Sequence, residues 1–368
     1  MRYIINVGKK IMQMVYALLK ILQVKNNKVL FLSRQENQLS LDFRLLKKEL
    51  LRQKPEIQIV EICNRIDDKK EGKIKFGIAV LKSMFHLATS KVCVLDAYWP
   101  AVSMLQHKKE LTVIQMWHAL GKIKKSGYQT VGKESGRSVE TSELLCMHKN
   151  YDYIIAGGKA WNPYYMASFG TTEDKLVNIG LPRIDYIIES EGENQKRVYE
   201  KYPMLKDKTV ILYAPTFRRN IELKWEELQN IIDYDKYALV VKGHPNQKIE
   251  NLNEHVYVCP EFTAVELLAV CDYLITDYSA IAIEAAILRK KTYYYLYDYE
   301  EYTSKNGINI DLFHVMEGCV FREAKELWAD LSSGEYNIKA LENYREKYLP
   351  DKLGTSTKQL AEFVIERL

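Results

Sequence analysis

The stretch Tyr273-Leu274-Ile275-Thr276-Asp277-Tyr278-Ser279-Ala280-Ile281-Ala282-Ile283-Glu284-Ala285-Ala286 fixes how the chain is read. Tyr273 to Ile275 is a short apolar run of strand type. It passes through a polar elbow, Thr276, Asp277 and Ser279, into a helix of small residues. Hydroxyls and a carboxylate at that point are cap residues. The alanines at 280, 282, 285 and 286 let the helix lie close on its sheet. A helix start of this kind aims its N–H groups and positive dipole end above the strand ends, which suits a diphosphate. An ordinary capped joint explains the same residues, so both readings stay open here.

The strand-to-helix rhythm recurs on either side. Lys28 to Leu32 and Ile57 to Ile62 read as strands with a helix, Leu41 to Gln53, between them. Val92 to Leu95, Thr112 to Met116, Tyr153 to Ala156 and Leu176 to Ile179 continue the series. After Gly180-Leu181-Pro182-Arg183 and a Glu/Lys/Asn-rich segment (189–208), it restarts with Thr209 to Tyr213 and Leu239 to Val241. Thr263-Ala264-Val265-Glu266 has the form of a capping box. Thr292 to Tyr297 is a last strand, and residues 323–368 read as helical. Strands alternating with helices imply parallel sheets covered on both faces. The expectation is an α/β chain of two Rossmann-like, doubly wound domains, residues 1–188 and 189–368, facing across a cleft. Ligands in such folds sit beyond the carboxyl ends of strands.

At 368 residues, with 47% hydrophobic and 27% charged residues, the chain suits two folded domains. The balance of 53 basic and 48 acidic residues, net +5, gives no argument for a nucleic-acid partner. The basic excess is local. Residues 1–35 carry Arg2, Lys9, Lys10, Lys20, Lys25, Lys28 and Arg34 and no acidic residue. Ile4, Val7, Ile11, Met14, Val15 and Leu18 recur among them at helical spacing. The longest charge-free run there is the nine residues Ile11 to Leu19, against roughly 20 needed to span a bilayer. A basic amphipathic helix lying on an anionic membrane surface fits, in place of a spanning segment or signal peptide. A terminal helix packed on its own domain is the alternative. Lys69 to Lys91, with Lys73, Lys75, Lys82 and Lys91 among Ile74, Phe76, Ile78, Leu81 and Phe85, repeats the pattern. The six scattered cysteines form no CxxC pair and read as reduced thiols of a cytosolic protein.

Four polar clusters end strand-like runs. Met116-Trp117-His118-Ala119-Leu120-Gly121-Lys122-Ile123-Lys124-Lys125-Ser126-Gly127 places a histidine at a strand end before glycine and lysines, a base in cationic surroundings. A surface loop with a hydrogen-bonded histidine is its alternative. Ala214-Pro215-Thr216-Phe217-Arg218-Arg219 pairs arginines after a proline stop, which suits phosphate. Lys242-Gly243-His244-Pro245 holds two donors around a glycine, and the opening stretch is the fourth cluster. Together they ask for a polyanionic substrate. No GxxxxGK[ST] loop and no GxGxxG opens a strand–helix unit, which disfavours a P-loop nucleotidase and a dinucleotide oxidoreductase. No aspartate pair has metal-ligand spacing, so neither metal nor cofactor is expected. A carboxylate at Asp277 would repel phosphate and is expected to turn inward.

The ordered set Trp117-His118…Gly121…Lys124-Lys125…Gly127, Gly180-Leu181-Pro182-Arg183…Asp185, Ala214-Pro215-Thr216-Phe217-Arg218, Gly243-His244-Pro245 and Ile275-Thr276-Asp277-Tyr278-Ser279 resembles the CDP-glycerol glycerophosphotransferase family of teichoic acid synthesis. The resemblance implies a GT-B fold at the cytoplasmic membrane face, peripherally bound. It implies transfer of glycerol or ribitol phosphate from a CDP-alditol to a lipid-linked or glycan acceptor, releasing CMP. It places His118 as the base on the acceptor hydroxyl and His244 on the donor diphosphate. Pro215, Thr216, Lys242, Gly243, Ser279, Ala280 and Glu284 fall at the donor, and Arg183 at a further donor contact. Ala119, Leu120, Gly121 and Lys122, together with Arg218 and Thr276, complete the expected substrate-binding set. Ala119-Leu120-Gly121 and Asn306-Gly307-Ile308-Asn309 depart from the family's usual residues, which leaves alditol and acceptor open. The short chain resembles priming members more than long polymerases. A GT-B glycosyltransferase using a nucleotide sugar, and a non-catalytic carbohydrate- or nucleotide-binding protein, are the competing readings.

Overall fold

The computed structural model describes residues 2–66, 70–216, 218, 224–243 and 252–368. His244 and Pro245, read above as a diphosphate contact, lie outside the described residues, as do Phe217 and Arg219. The chain divides into two compact units: Met1–Leu120 with Ser126–Asp185 and Lys352–Leu368, and Gly121–Lys125 with Tyr186–Asp351. The main crossing at Asp185/Tyr186 lies close to the expected 188/189 boundary. Two segments depart from a single boundary, since Gly121–Lys125 joins the second unit and Lys352–Leu368 returns to the first.

The first unit is built on strands β1 (Lys25–Ser33), β2 (Gln58–Cys63), β3 (Ser90–Leu95), β4 (Thr112–Gln115), β5 (Tyr153–Ala156) and β6 (Leu176–Asn178). They pair in parallel in the order β2-β1-β3-β4-β5-β6. The second sheet takes β7 (Thr209–Tyr213), β8 (Tyr237–Val241), β9 (Val256–Tyr257), β10 (Tyr273–Thr276), β11 (Lys291–Tyr295) and β12 (Val320–Phe321). Its order is β12-β11-β10-β7-β8-β9, again all parallel. Helices cover both faces of such sheets, so central strands lose their polar alternation. Val29 to Leu32 and Val92 to Leu95 are fully buried accordingly. Each sheet reverses its winding once, between β1 and β3 and between β7 and β10. These two crevices are where doubly wound sheets bind ligands.

Helices α1 (Arg2–Leu19) and α3 (Lys70–Thr89) pack on each other. Tyr16 is buried and its hydroxyl meets His107 Nδ1 at 2.8 Å, which ties α1 to its unit. The outward side stays apolar: Ile11, Met14, Val15 and Leu18 on α1 and Ile74, Ile78, Leu81 and Phe85 on α3 are exposed. Among the described residues no helix is long and apolar enough to cross a membrane. All six cysteines are free thiols, four of them buried.

The motif Gly180-Leu181-Pro182-Arg183…Asp185 stitches the first unit together. Helix α2 (Leu41–Gln53) is opened by Ser40, and its first turn holds the buried Asp42. Asp42 accepts the Arg183 N–H and Nε–H, each at 2.8 Å. Asp185 accepts the N–H groups of Ser356 and Thr357 at 3.1 and 2.7 Å, capping the C-terminal helix Ser356–Ile365. That helix buries Leu360, Ala361 and Val364 and packs on α2. Burying a Leu or Val contributes about 1.5–3 kcal/mol each, a large share of a stability of about 5–15 kcal/mol. A chain ending at Gly354 should therefore lose the cooperative thermal transition of the first unit while the second keeps its own. A single unshifted transition in calorimetry would show the helix to be dispensable.

Candidate active site

His118 closes a turn built at the ends of β1, β3 and β4. The Met116 N–H donates to the Leu95 carbonyl at 2.7 Å and extends the strand pairing by one residue. Trp117 then turns left-handed, φ +64°, which a bulky residue adopts only when held there. Buried Gln115 holds it, its Oε1 accepting the Trp117 N–H at 2.9 Å. The indole packs edge-on to Phe169, centroids 5.2 Å apart, and the His118 ring lies against the indole at 4.1 Å. His118 Nδ1 is 2.9 Å from the backbone carbonyl oxygen of Asp96. A carbonyl only accepts, so Nδ1 carries the proton and Nε2 is the basic nitrogen. The Gln35 amide nitrogen Nε2 stands 3.2 Å from the same Nδ1; with Nδ1 protonated the amide is assigned flipped, its oxygen toward the ring.

Beneath this histidine lies Asp96, which the sequence reading did not single out. Its side chain is buried; Ser33 Oγ donates to Oδ2 at 2.7 Å, and Oδ1 has no hydrogen-bond partner among the described residues. Burial pushes the carboxyl up to about 7, against the pull of the Ser33 hydrogen bond. Ser33 Oγ also accepts the Gln35 N–H at 3.2 Å.

In the second unit β10 leads through the elbow into the helix Ile281–Ile287, all of whose residues are buried. Asp277 turns inward, as its charge required. Both its oxygens accept the Thr216 N–H, at 3.0 and 2.9 Å, and Arg218 pairs with it at 3.0 Å. The same guanidinium donates to Asp298 through Nε at 2.7 Å and Nη2 at 3.2 Å, and to the Thr216 carbonyl through Nη1 at 3.1 Å. It lies over the rings of Tyr302 and Tyr278, which stack at 3.9 Å. Burial alone would lower the Arg218 pKa; Asp277 and Asp298 outweigh it and raise it. Thr276, fully buried, donates its hydroxyl to the Ala214 carbonyl at 2.7 Å. Arg218 and Thr276 were expected on phosphate. In the structure both are buried and donate to protein oxygens.

The other expected residues divide between the units. Ala119 offers its carbonyl to the Tyr165 hydroxyl at 3.1 Å. Leu120 is buried against Gly157, where a Cβ would stand 2.3 Å from the Leu120 oxygen. Gly121–Lys125 pairs with the Asn306–Asn309 segment. Lys125 N–H donates to the Gly307 carbonyl at 3.0 Å, Asn309 N–H to the Ile123 carbonyl at 2.8 Å, and Lys124 bridges Ile308. Gly307 supplies φ +79° for that turn. The Asn306–Asn309 departure thus pairs with the lysine-rich segment Lys122–Lys125. Lys122, expected in the substrate-binding set, is only 2% exposed, and burial pulls its ammonium pKa well below the usual range. Lys124 is half-buried: burial lowers its pKa, and nearby Asp277 opposes that.

Pro215 is buried, while Thr216 is half-buried with Oγ1 lacking a hydrogen-bond partner among the described residues. Lys242 Nζ donates to the Cys259 carbonyl at 3.1 Å, and burial lowers its pKa. Gly243, Ser279 and Ala280 are half-buried, the Ser279 hydroxyl accepting the Ile281 N–H at 3.5 Å; Glu284 is buried. Arg183, in the first unit, points its guanidinium at Asp42. Asp298 was missed because 80 residues separate it from Arg218. Asp96 had a signal, since it follows the run Val92 to Leu95 as Asp277 follows its own strand.

A family model described as CDP-Glycerol:Poly(glycerophosphate) glycerophosphotransferase matches residues 14–366. The teichoic acid ribitol-phosphate primase of Bacillus spizizenii is 29% identical over 98% of this chain and 97% of its own. The teichoic acid glycerol-phosphate primase of Bacillus subtilis is 28% identical over 79% and 77%. Against the poly(ribitol-phosphate) polymerase of Bacillus spizizenii, 26% identical, the match spans 99% of this chain and 60% of the relative. In fold, the chain is similar to the wall teichoic acid polymerase TagF solved with CDPG. The TM-score is 0.75 at 17% identity, over 99% of this chain and 97% of the other.

The Arg218 cluster yields a test. Removing one member of a buried charge cluster strands the others and costs about 3–5 kcal/mol. Arg218→Ala should lower unfolding stability by that amount in urea titration, and Arg218→Lys should recover part of it. A fully stable Arg218→Ala protein with weakened CDP-glycerol binding would return the guanidinium to the donor.

Proposed function

The chain belongs to the CDP-Glycerol:Poly(glycerophosphate) glycerophosphotransferase family, and from that membership we propose how it acts as a CDP-alditol phosphotransferase of teichoic acid synthesis. The donor is CDP-glycerol or CDP-ribitol and the acceptor a hydroxyl of a lipid-linked glycan. The observation that carries the mechanism is the 2.9 Å approach of His118 Nδ1 to the Asp96 carbonyl oxygen, which assigns the proton to Nδ1 and leaves Nε2 basic. Nε2 takes the proton of the acceptor hydroxyl, whose oxygen attacks the phosphorus bearing the alditol. A new P–O bond forms there, the bond to the bridging oxygen breaks, and CMP leaves with that electron pair. Lys242, Gly243, Thr216, Ser279 and Ala280 hold the donor from the second unit, with His244 on its diphosphate.

The reaction takes place at the cytoplasmic membrane face. Support comes from α1 and α3, whose apolar residues Met14 (71% exposed) and Leu18 (68%) stand outward beside Lys9, Lys10 and Lys20. An exposed apolar stripe with a basic border suits an anionic bilayer surface.

Two measurements test this. With CDP-glycerol or CDP-ribitol and a synthetic lipid-linked glycan, His118→Ala should lower CMP release about 100-fold or more; undiminished release would remove the base role. Deleting residues 1–23, or Met14→Glu with Leu18→Glu, should abolish salt-sensitive binding to phosphatidylglycerol vesicles. Unchanged partitioning would leave α1 as a packing helix alone.

A further inference from the structure

Asp96 and Asp277 hold the same place in their two units. Each follows the strand at which its sheet reverses winding, β3 beside β1 and β10 beside β7. Each carboxylate ties the end of one strand to the chain leaving the other: Asp277 to the Thr216 N–H, Asp96 to the Ser33 hydroxyl. Their surroundings differ. Asp277 is neutralised by Arg218 at 3.0 Å. Asp96 is equally buried, forms no ion pair among the described residues, and leaves Oδ1 without a hydrogen bond. A serine or asparagine would join β1 to β3 with less desolvation, so a carboxyl there disfavours folding. Such local violations concentrate where a residue serves the reaction.

We propose that Asp96 is the positioning residue of His118, holding the base through a closed hydrogen-bonded ring with Ser33 and Gln35. The ring runs from the Asp96 carbonyl to His118 Nδ1, 2.9 Å, and from Asp96 Oδ2 to Ser33 Oγ, 2.7 Å. It continues from Ser33 Oγ to the Gln35 N–H, 3.2 Å, and returns from the Gln35 amide to His118 Nδ1, 3.2 Å. One residue thus sets the ring from two directions, through its own carbonyl and through its side chain. Asp96 also sets the basicity of Nε2. Facing its carboxyl are Asp42 from the first turn of α2, Arg34 from the end of β1, and Cys63 from the end of β2. Asp42 opposes ionisation of Asp96 and Arg34 favours it, and the Cys63 thiol, itself pushed up to about 12, stays neutral. A negative charge beneath an imidazole stabilises the imidazolium and makes Nε2 a stronger base. That charge is present above about pH 7, where Asp96 ionises, so its removal weakens Nε2 as a base there and not at lower pH.

This inference rests on the base role of His118 proposed above. Asp96→Asn keeps the backbone carbonyl and an acceptor for Ser33 while removing the charge. With CDP-glycerol, CDP-ribitol and a synthetic lipid-linked glycan, kcat for CMP release at about pH 8 should fall about tenfold, with the donor KM unchanged and the difference shrinking below about pH 7. Because burial raises the Asp96 pKa, its ionisation disfavours the fold above about pH 7. Asp96→Asn should therefore match or exceed the native Tm at about pH 8, a gain that a purely structural residue would not give. Ser33→Ala should lose kcat similarly and Ser33→Thr recover it. Nitrogen-15 NMR of the imidazole should show the Nδ1-protonated tautomer in the native chain and a mixture in Ser33→Ala. Native kcat and pH profile in Asp96→Asn, or a loss that follows a lowered Tm, overturns the ring. A fully active His118→Ala enzyme removes the base role and the ring with it, whereas an inactive one beside an unchanged Asp96→Asn removes the ring alone.

Discussion

The second unit depends on a buried guanidinium. Arg218 is held by two carboxylates from different connections, Asp277 after β10 and Asp298 after β11, and by the carbonyl of Thr216 after β7. Three adjacent strand ends thereby converge on one group. A parallel sheet leaves its carboxyl ends with carbonyls and loops that no neighbouring strand satisfies, and a fixed planar fork of five donors can serve several at once. The stacked rings of Tyr278 and Tyr302 close the remaining face. That cluster braces the elbow that carries Ser279 and Ala280, the residues proposed to meet the donor. Bracing of this kind spares binding the cost of ordering the loop.

The first unit solves the same geometric problem without a cation. Ser33 and Asp96 join β1 to β3 by one neutral-to-acid hydrogen bond. The result is a softer joint whose protonation responds near neutrality. In the second unit the two carboxylates raise the pKa of Arg218, which keeps the guanidinium charged. The contrast assigns a fixed charge to the unit proposed to hold the donor and proton sensitivity to the unit proposed to carry the base.

The fold was legible because its signal is local. Runs such as Val92 to Leu95 and Leu239 to Val241, closed by glycine, proline or polar residues, identify parallel strands by composition alone. The two crossings at Gly121–Lys125 and Lys352–Leu368 were not legible. They depend on pairing with Gly307 to Asn309 and on capping by Asp185, both distant in sequence. Site residues were recognised by type and position, and the direction they face was not. Arg218 and Thr276 have the chemistry of phosphate ligands, yet each meets its requirements inside its unit, and Lys122 is buried. Nothing in a single sequence separates an arginine aimed at a phosphate from one aimed at Asp298. Asp277 was the exception, because its sign alone excluded an outward role.

That redistribution of roles changes where positive charge for a diphosphate must come from. With Arg218 neutralised and Lys122 buried, the elbow keeps backbone N–H groups, Lys124 and Lys242 as its donors. Burial depresses the pKa of both lysines, and Asp277 opposes that depression at Lys124. Two phosphates brought close to such lysines would favour their ammonium forms, since an opposite charge nearby raises a depressed pKa. A donor held there would thus offset the depression that burial imposes on both lysines.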